Sequence, residues 1–130
     1  MILIFIYVNS NSLNAQYYLD HISGKNIKSS EYSNGNKKVE ITAMEDDGIF
    51  HYQEWRLDGS LKLEGSFLNE KKYNYRHGTW TFWYKNGIKR MNVEYFYDIK
   101  VGSAKIYNHD GSLQKIEKFR FKGNIKPFYL

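Results

Sequence analysis

The chain has 130 residues and a formal net charge of +5, from 19 lysines and arginines against 14 aspartates and glutamates. This length is typical of a single domain. Because there is no cysteine, disulfide frameworks, thiolate zinc sites and cysteine nucleophiles are excluded. Hydrophobic residues make up 42% of the chain and include 3 Trp, 12 Tyr and 8 Phe, which excludes an intrinsically disordered protein. No stretch approaches the ~20 apolar residues of a membrane-spanning helix.

The chain begins with an apolar run at residues 1–8, followed by a polar stretch and then Ala15. A run of about 8 apolar residues matches the central region of a secretory signal, and Ala15 suits the position before a cleavage site. We therefore expect residues 1–15 to be a signal peptide and the protein to be exported to the periplasm, the outer membrane surface or the medium. No lysine or arginine precedes the run. A start further upstream, or a buried first strand in a cytoplasmic protein, stays open.

Four Asx-Gly pairs divide the remaining chain, and their glycines are 24, 28 and 24 residues apart: Asn34-Gly35, Asp58-Gly59, Asn86-Gly87 and Asp110-Gly111. Both residue types tolerate the positive φ of a two-residue type I′ turn, so each pair predicts the tip of a β-hairpin. The predicted pairs beside the last three tips are Leu57 with Ser60, Lys85 with Ile88, and His109 with Ser112. The extra four residues of the middle spacing are expected in residues 69–75.

Aromatic residues recur at fixed distances from the last three tip glycines, four residues before and eight after them: Trp55, Trp83, Tyr107, Phe67, Tyr95 and Phe119. The Asn34-Gly35 unit lacks both aromatics. Between the tips, apolar and polar residues alternate with the period of a β-strand, and no window has helical periodicity. We therefore predict an all-β fold, an antiparallel meander of stacked β-hairpins. Gly65, Gly78 and Gly102 are expected where one hairpin connects to the next.

Three segments carry a family resemblance: GTWTFWYKNG at residues 78–87, GSAKIYNHDG at 102–111 and, more loosely, WRLDGSLKLEG at 55–65. They resemble the MORN-repeat-variant family of bacteria, many members of which are labelled as the antitoxin component of a toxin–antitoxin pair. The resemblance covers about residues 48–119, and it implies a β-hairpin array with a binding role rather than an enzyme. We divide the chain into the signal segment, a degenerate N-terminal repeat or cap (16–47), MORN-variant repeats (48–121) and a basic C-terminal tail (122–130).

Counting outward from the predicted turns assigns residues to the two faces of the sheet. One face is almost wholly apolar and is the predicted core: Phe50, Tyr52, Leu61, Leu63, Phe67, Trp80, Phe82, Tyr84, Met91, Val93, Tyr95, Ala104, Ile106, Leu113 and Phe119. The other face is mixed and combines one aromatic residue per hairpin with polar groups: Trp55, Lys62, Glu64, Trp83, Arg90, Asn92, Tyr107 and Gln114.

The mixed face provides the candidate partner-binding residues: Trp55, Lys62, Trp83, Arg90 and Tyr107. The predicted register places Trp55 opposite Lys62 and Trp83 opposite Arg90, which favours cation–π pairs. Two interpretations stay open. The rings either stack on one another and cover the sheet, or form a recognition strip, since aromatic and arginine side chains are typical binding hot spots.

The sequence contains no motif typical of a catalytic or metal site. His21, His51, His77 and His109 lack metal-ligand spacing and are expected in solvated loops. Residues 45–47 are acidic but lack the ligand pattern of a calcium loop. Nucleophile and nucleotide-binding motifs are missing as well. We therefore expect a non-enzymatic protein without a metal or a small-molecule cofactor.

The expected partner is another protein, bound through the mixed face or at an open sheet edge. The family resemblance implies, as an alternative, an antitoxin that neutralises a partner toxin by direct binding. Basic residues near the C-terminus could instead bind single-stranded nucleic acid or an anionic envelope surface: Lys115, Lys118, Arg120, Lys122 and Lys126. Export argues against nucleic acid and against a cytoplasmic toxin.

Overall fold

The computed structural model describes residues 2–7, 14–19, 26–44, 48–71 and 73–120, with side chains from Lys28 onward. These residues form ten β-strands: β1 (Ile2–Tyr7), β2 (Asn14–Leu19), β3 (Asn26–Glu31), β4 (Lys37–Ala43), β5 (Ile49–Trp55), β6 (Leu61–Glu70), β7 (Tyr73–Trp83), β8 (Lys89–Phe96), β9 (Ile99–Tyr107) and β10 (Leu113–Lys118). No helix that could cross a membrane occurs in the described part of the chain.

Strands β3–β10 form one antiparallel sheet in which each strand pairs with its neighbours in sequence, in the order β10-β9-β8-β7-β6-β5-β4-β3. The all-β antiparallel meander is confirmed. Strands β1 and β2 pair with each other in a separate two-stranded sheet. The predicted signal peptide at residues 1–15 falls partly outside the described residues and stays a prediction.

The four Asx-Gly tips are three-residue loops, so the predicted two-residue type I′ turns are wrong. In the second tip the Gly59 amide donates to the Arg56 carbonyl at 2.9 Å, and the Arg56 amide donates to the Ser60 carbonyl at 2.8 Å. The same two bonds close the other three tips. Within each tip only the glycine has a positive φ, between 84° and 88° in the four tips. This is a type I turn followed by a glycine bulge.

The Asx residue of each tip acts through its side chain and not through a left-handed backbone. The Asp58 carboxylate accepts the Ser60 amide at 2.9 Å and the Ser60 hydroxyl at 2.6 Å. Asn34, Asn86 and Asp110 accept the amide two residues onward in the same way. This Asx turn explains why Asn or Asp precedes each glycine.

The longer loops shift the pairing next to each tip by one residue. Trp55 pairs with Leu61 instead of Lys62, Trp83 pairs with Lys89 instead of Arg90, and a bulge then absorbs the extra residue. Beyond the bulges the predicted register is correct, with Phe50 opposite Phe67. Two errors of one residue therefore cancel, and the assignment of faces in the strand bodies is preserved.

A true two-residue turn lies at the opposite ends of the strands. Tyr97 and Asp98 have φ values of 47° and 66°, and they join β8 to β9 with Phe96 paired to Ile99. One Asp98 carboxylate oxygen accepts the Arg76 amide at 2.8 Å and the Arg76 side chain at 2.9 Å, which holds this strained turn in place. The sequence prediction had put Gly65, Gly78 and Gly102 at the connections. They lie instead within β6, β7 and β9.

Six predicted core residues are buried: Phe50, Tyr52, Trp80, Val93, Tyr95 and Ala104. Five more pack against them: Leu63, Phe67, Phe82, Met91 and Phe119. Leu113 was wrongly assigned to the core, since 52% of its surface is exposed on β10 at the sheet edge. The Asn34-Gly35 hairpin adds Val39, Ile41 and Ala43, which the sequence prediction missed. This hairpin lacks the repeat aromatics but has the same tip geometry as the others.

The core is built around the contact between Gly65 and Trp80. A Cβ atom on Gly65 would lie 2.2 Å from Cδ2 of the Trp80 indole, so the missing side chain creates the space for this ring. The indole N–H donates to the Ser66 carbonyl at 3.1 Å. The ring also packs edge-on against Phe67, with centroids 4.9 Å apart. The largest side chain of the core therefore lies over the residue with none.

The tip carboxylates predict an acid-dependent loss of stability. Hydrogen bonds from Ser60 and Ser112 lower the pKa of Asp58 and of Asp110. A lowered folded-state pKa stabilises the fold above the ordinary carboxyl pKa, and this contribution is lost as the pH falls through the folded-state value. Asp58→Asn with Asp110→Asn should preserve the tips, as Asn34 and Asn86 do, and should flatten the decrease of Tm below about pH 4. An unchanged pH dependence of Tm would contradict this role.

Candidate functional site on the non-core face

The four tips lie side by side at the same end of the strands of the described sheet, and we call them the tip column. The side chain three residues before each of the first three tip glycines donates to a backbone carbonyl beside the next tip. The Tyr32 hydroxyl donates to the Trp55 carbonyl at 2.9 Å, the Arg56 guanidinium to the Trp83 carbonyl at 2.6 Å, and the Tyr84 hydroxyl to the Tyr107 carbonyl at 2.9 Å. These bonds fix the backbone of the three aromatic residues that the sequence singled out.

We call Trp55, Trp83 and Tyr107 the ring row. They occupy the same repeat position on β5, β7 and β9, so their backbones are roughly 9.5 Å apart across two strand spacings. Each side chain is half-buried. Side chains alternate along a strand, and the preceding Phe82 packs on the core, so Trp83 points to the opposite face. Within the described residues no ring contact joins the three, and the predicted stacking between them is not observed.

The predicted cation–π pairs are wrong. Lys62 Nζ binds Glu54 Oε1 at 2.7 Å, and Lys37 lies over the Trp55 ring instead, with Nζ 5.3 Å from its centroid. Arg90 lies over the Tyr84 ring at 5.9 Å. The bulge beside each tip is the reason, because it removes Lys62 and Arg90 from the positions directly opposite the tryptophans. Both cations are exposed, and their partners Glu54 and Tyr84 are each next in sequence to a ring-row tryptophan and so lie on the opposite face.

A polar row crosses the sheet beside the ring row through successive strand pairs: Gln53, Glu64, Thr81, Asn92 and Lys105. The Gln53 amide donates to Glu64 at 3.1 Å, and the His51 imidazole lies 3.5 Å from the same carboxylate oxygen. The face therefore combines aromatic rings with hydrogen-bonding groups, as the alternation of the sequence indicated.

Positive charge is concentrated at the β8–β10 end of the sheet. Earlier in the chain Lys37, Lys62 and Lys85 form ion pairs with Glu40, Glu54 and Asp58. In the described part of β8–β10 and just beyond, Lys115 approaches Glu117 at 4.0 Å, and six cations have no carboxylate within ion-pair distance: Lys89, Arg90, Lys100, Lys105, Lys118 and Arg120. Lys122 and Lys126 of the predicted basic tail lie outside the described residues.

A second ring cluster lies at the other end of the same face, and the sequence analysis did not identify it. It contains Tyr73, Tyr75, His77, Phe96 and Tyr97. The Tyr75 and Tyr97 centroids are 5.3 Å apart, and the His77 ring contacts both Phe96 and Tyr97. The alternation of Tyr73, Tyr75 and His77 along one strand was the available signal. Tyr73 has 64% of its surface exposed.

The histidines are placed differently from the prediction. His51 and His77 lie in β5 and β7 and not in solvated loops, whereas His109 lies in a tip and stacks on the Tyr84 ring with centroids 3.7 Å apart. His21 and the acidic residues 45–47 lie outside the described residues. Where the chain is described, no group of three His, Asp or Glu side chains could hold a metal ion.

No protein-family model matches the chain, and searches of the curated proteins and of the solved structures return no match either. The resemblance to MORN-repeat variants stays a prediction that rests on the three quoted segments.

Proposed function

We propose that this chain is a non-enzymatic β-repeat binding protein that binds another protein through the ring row, in the cell envelope or outside the cell. The observation that carries the proposal is the geometry of the row. Three half-buried aromatic side chains stand at one repeat position on alternate strands, and each has its backbone carbonyl held by the neighbouring tip.

Such an arrangement has the properties of a binding hot spot. Tryptophan, tyrosine and arginine dominate the energetics of protein interfaces. Neither the Trp83 nor the Tyr107 ring has a ring or cation partner among the described residues, and both side chains stay partly accessible to solvent. Because the tip column fixes the backbone, little conformational entropy is lost on binding.

The unpaired cations near Tyr107 favour one rival function, which is binding of an anionic polymer such as single-stranded nucleic acid. Stacking on the ring row and neutralisation of phosphates would then act together. This reading predicts affinity that falls steeply with salt. The antitoxin role remains the alternative that the family resemblance implies, and it requires a partner toxin in the same compartment.

The test is capture from an envelope extract on the immobilised chain, followed by mass spectrometry, with Trp83→Ala as the decisive variant. We expect the wild type to retain a defined protein and Trp83→Ala to lose at least about tenfold in affinity, since a hot-spot residue contributes about 2 kcal/mol or more. Tyr73→Ala removes an exposed ring outside the row and is the matched control. Equal retention by wild type and Trp83→Ala, at equal Tm, would refute the proposal.

Two further measurements separate the rivals. Tight, salt-sensitive binding of a single-stranded oligonucleotide, without a protein partner, would support the nucleic-acid function. Recovery of a toxin from cytosol, together with an uncleaved N-terminus, would support the antitoxin function.

A further inference from the structure

Each hairpin of the sheet meets the next through one recurring register. The sixth residue after a tip glycine and the seventh residue before the next one are neighbours on the core face. At the first junction they are Ile41 and Tyr52, which are directly paired. At the second they are Gly65 and Trp80, which are in contact through the ring. At the third, Val93 and Ala104 occupy these positions, and both are buried.

The sheet ends at β3 and β10, and neither outer edge is paired with another strand in the described residues. All six residues of β10 are exposed. β3 stands before its tip glycine as β5, β7 and β9 do, and β10 follows its tip glycine as β4, β6 and β8 do. β10 therefore occupies the repeat position of β4, β6 and β8. Each of these three strands pairs with a following strand that occupies the repeat position of β3.

The two edges carry opposite charges at the recurring junction positions. The sixth residue after Gly111 is Glu117, and the seventh residue before Gly35 is Lys28. Glu117 pairs with the buried Ala104, and Lys28 pairs with the buried Ile41, so both belong to core-face rows at opposite ends of the sheet. Burial lowers the pKa of Lys28, and within the described residues no carboxylate binds it.

We propose that β3 of a second copy of this chain adds to the open edge of β10, in the register of the internal junctions, with Glu117 of one copy facing Lys28 of the next. The occupant follows from continuity of the repeat and from charge complementarity. Because the two surfaces differ, the contact is head-to-tail and builds an open row of copies, unlike a closed dimer. The proposal uses the sheet edges and is independent of the ring row.

The charges also explain why such a contact would be controlled. An apolar open edge invites indiscriminate strand pairing, whereas lysines on an edge strand oppose it. On β10, Lys115 and Lys118 flank Glu117. Glu117 is the single acidic residue of β10, and within the chain Lys115 Nζ lies 4.0 Å from its carboxylate. A β3 edge offers Lys28 to the same carboxylate.

The test measures association of the full chain by sedimentation velocity over a concentration series at low salt. We expect Lys28→Glu and Glu117→Lys each to weaken association by at least about fivefold, because each replaces an attractive pair with a repulsive one. Lys105→Glu and Glu94→Lys, which lie on the non-core face, make the same changes in net charge and are expected to leave association unchanged. Circular dichroism confirms that all four variants are folded.

Mixing provides the sharpest result. A Lys28→Glu copy and a Glu117→Lys copy repel their own kind, yet every contact between the two kinds pairs a glutamate with a lysine. An equimolar mixture should therefore recover the association that each variant has lost, and the double variant should recover it alone. A wild type that stays monomeric throughout would overturn the proposal. So would a mixture that fails to associate, or a Glu117→Lys defect without a Lys28→Glu defect, which indicates β10–β10 pairing.

Discussion

Trp80→Ala is expected to lower the free energy of unfolding by about 3–5 kcal/mol, the range for truncation of a large aromatic side chain in a core. Only 4% of the Trp80 surface is exposed, and the ring contacts Tyr52, Phe67 and Tyr95. Truncation would remove these contacts and leave the Ser66 carbonyl without the indole donor. The described part of the eight-stranded sheet has one small core, so few other contacts compensate for this loss.

Urea unfolding followed by far-ultraviolet circular dichroism measures this effect without depending on tryptophan fluorescence. Trp83→Ala is the matched control. It removes the same type of side chain three residues further along β7, where the ring is half-buried on the opposite face of the sheet. We expect its free energy of unfolding to fall by less than half as much. Equal losses in the two variants would show that Trp80 is not the centre of the core.

Gly65→Ala is expected to destabilise the sheet by about 1–3 kcal/mol through overpacking. The added Cβ would lie 2.2 Å from Cδ2 and 2.4 Å from Cε2 of Trp80, so the indole must move out of its site. The backbone of Gly65 does not have the positive φ that penalises other residues, and the whole cost is therefore steric. Urea unfolding provides the measurement here too.

Gly87→Ala is the control that isolates backbone strain. Its Cβ would meet nothing within 4 Å, but its φ is +84°, so its cost is conformational. Combining each variant with Trp80→Leu distinguishes the two mechanisms. The smaller side chain should relieve the Gly65→Ala defect, giving a strong coupling energy, and should add independently to the Gly87→Ala defect. Additivity at both glycines would contradict the steric explanation.

The alternation of residues predicted most of the core correctly because a strand has a period of two. Phe50, Tyr52, Val93 and Tyr95 were assigned to the buried face from their spacing alone, and they are buried. Even the wrong turn type did no harm there, since the bulge next to each tip restores the register. Leu113 failed because burial depends on neighbouring strands, and β10 has one on a single side.

The sequence predicted which residues form the ring row, but it did not predict which side chains contact them. Trp55, Trp83 and Tyr107 lie at one repeat position on one face, as their spacing indicated. Their partners could not be predicted, because Lys37 reaches Trp55 from the preceding hairpin and Arg90 covers Tyr84. The cluster of Tyr75, Phe96 and Tyr97 was missed because it assembles across two strands and a turn without glycine.

The sequence by itself determined the all-β meander, the positions of the tips and the two faces, because each depends on local turn chemistry and on the period of a strand. The tertiary structure decided what depends on a register between distant segments: the three-residue tips with their bulges, the space that Gly65 leaves for Trp80, and the carbonyls that Tyr32, Arg56 and Tyr84 hold. The physical reason is that a one-residue shift leaves the local pattern unchanged but changes every contact across the strands. The aromatic content and the charge of +5 therefore gain meaning only from where the sheet places them.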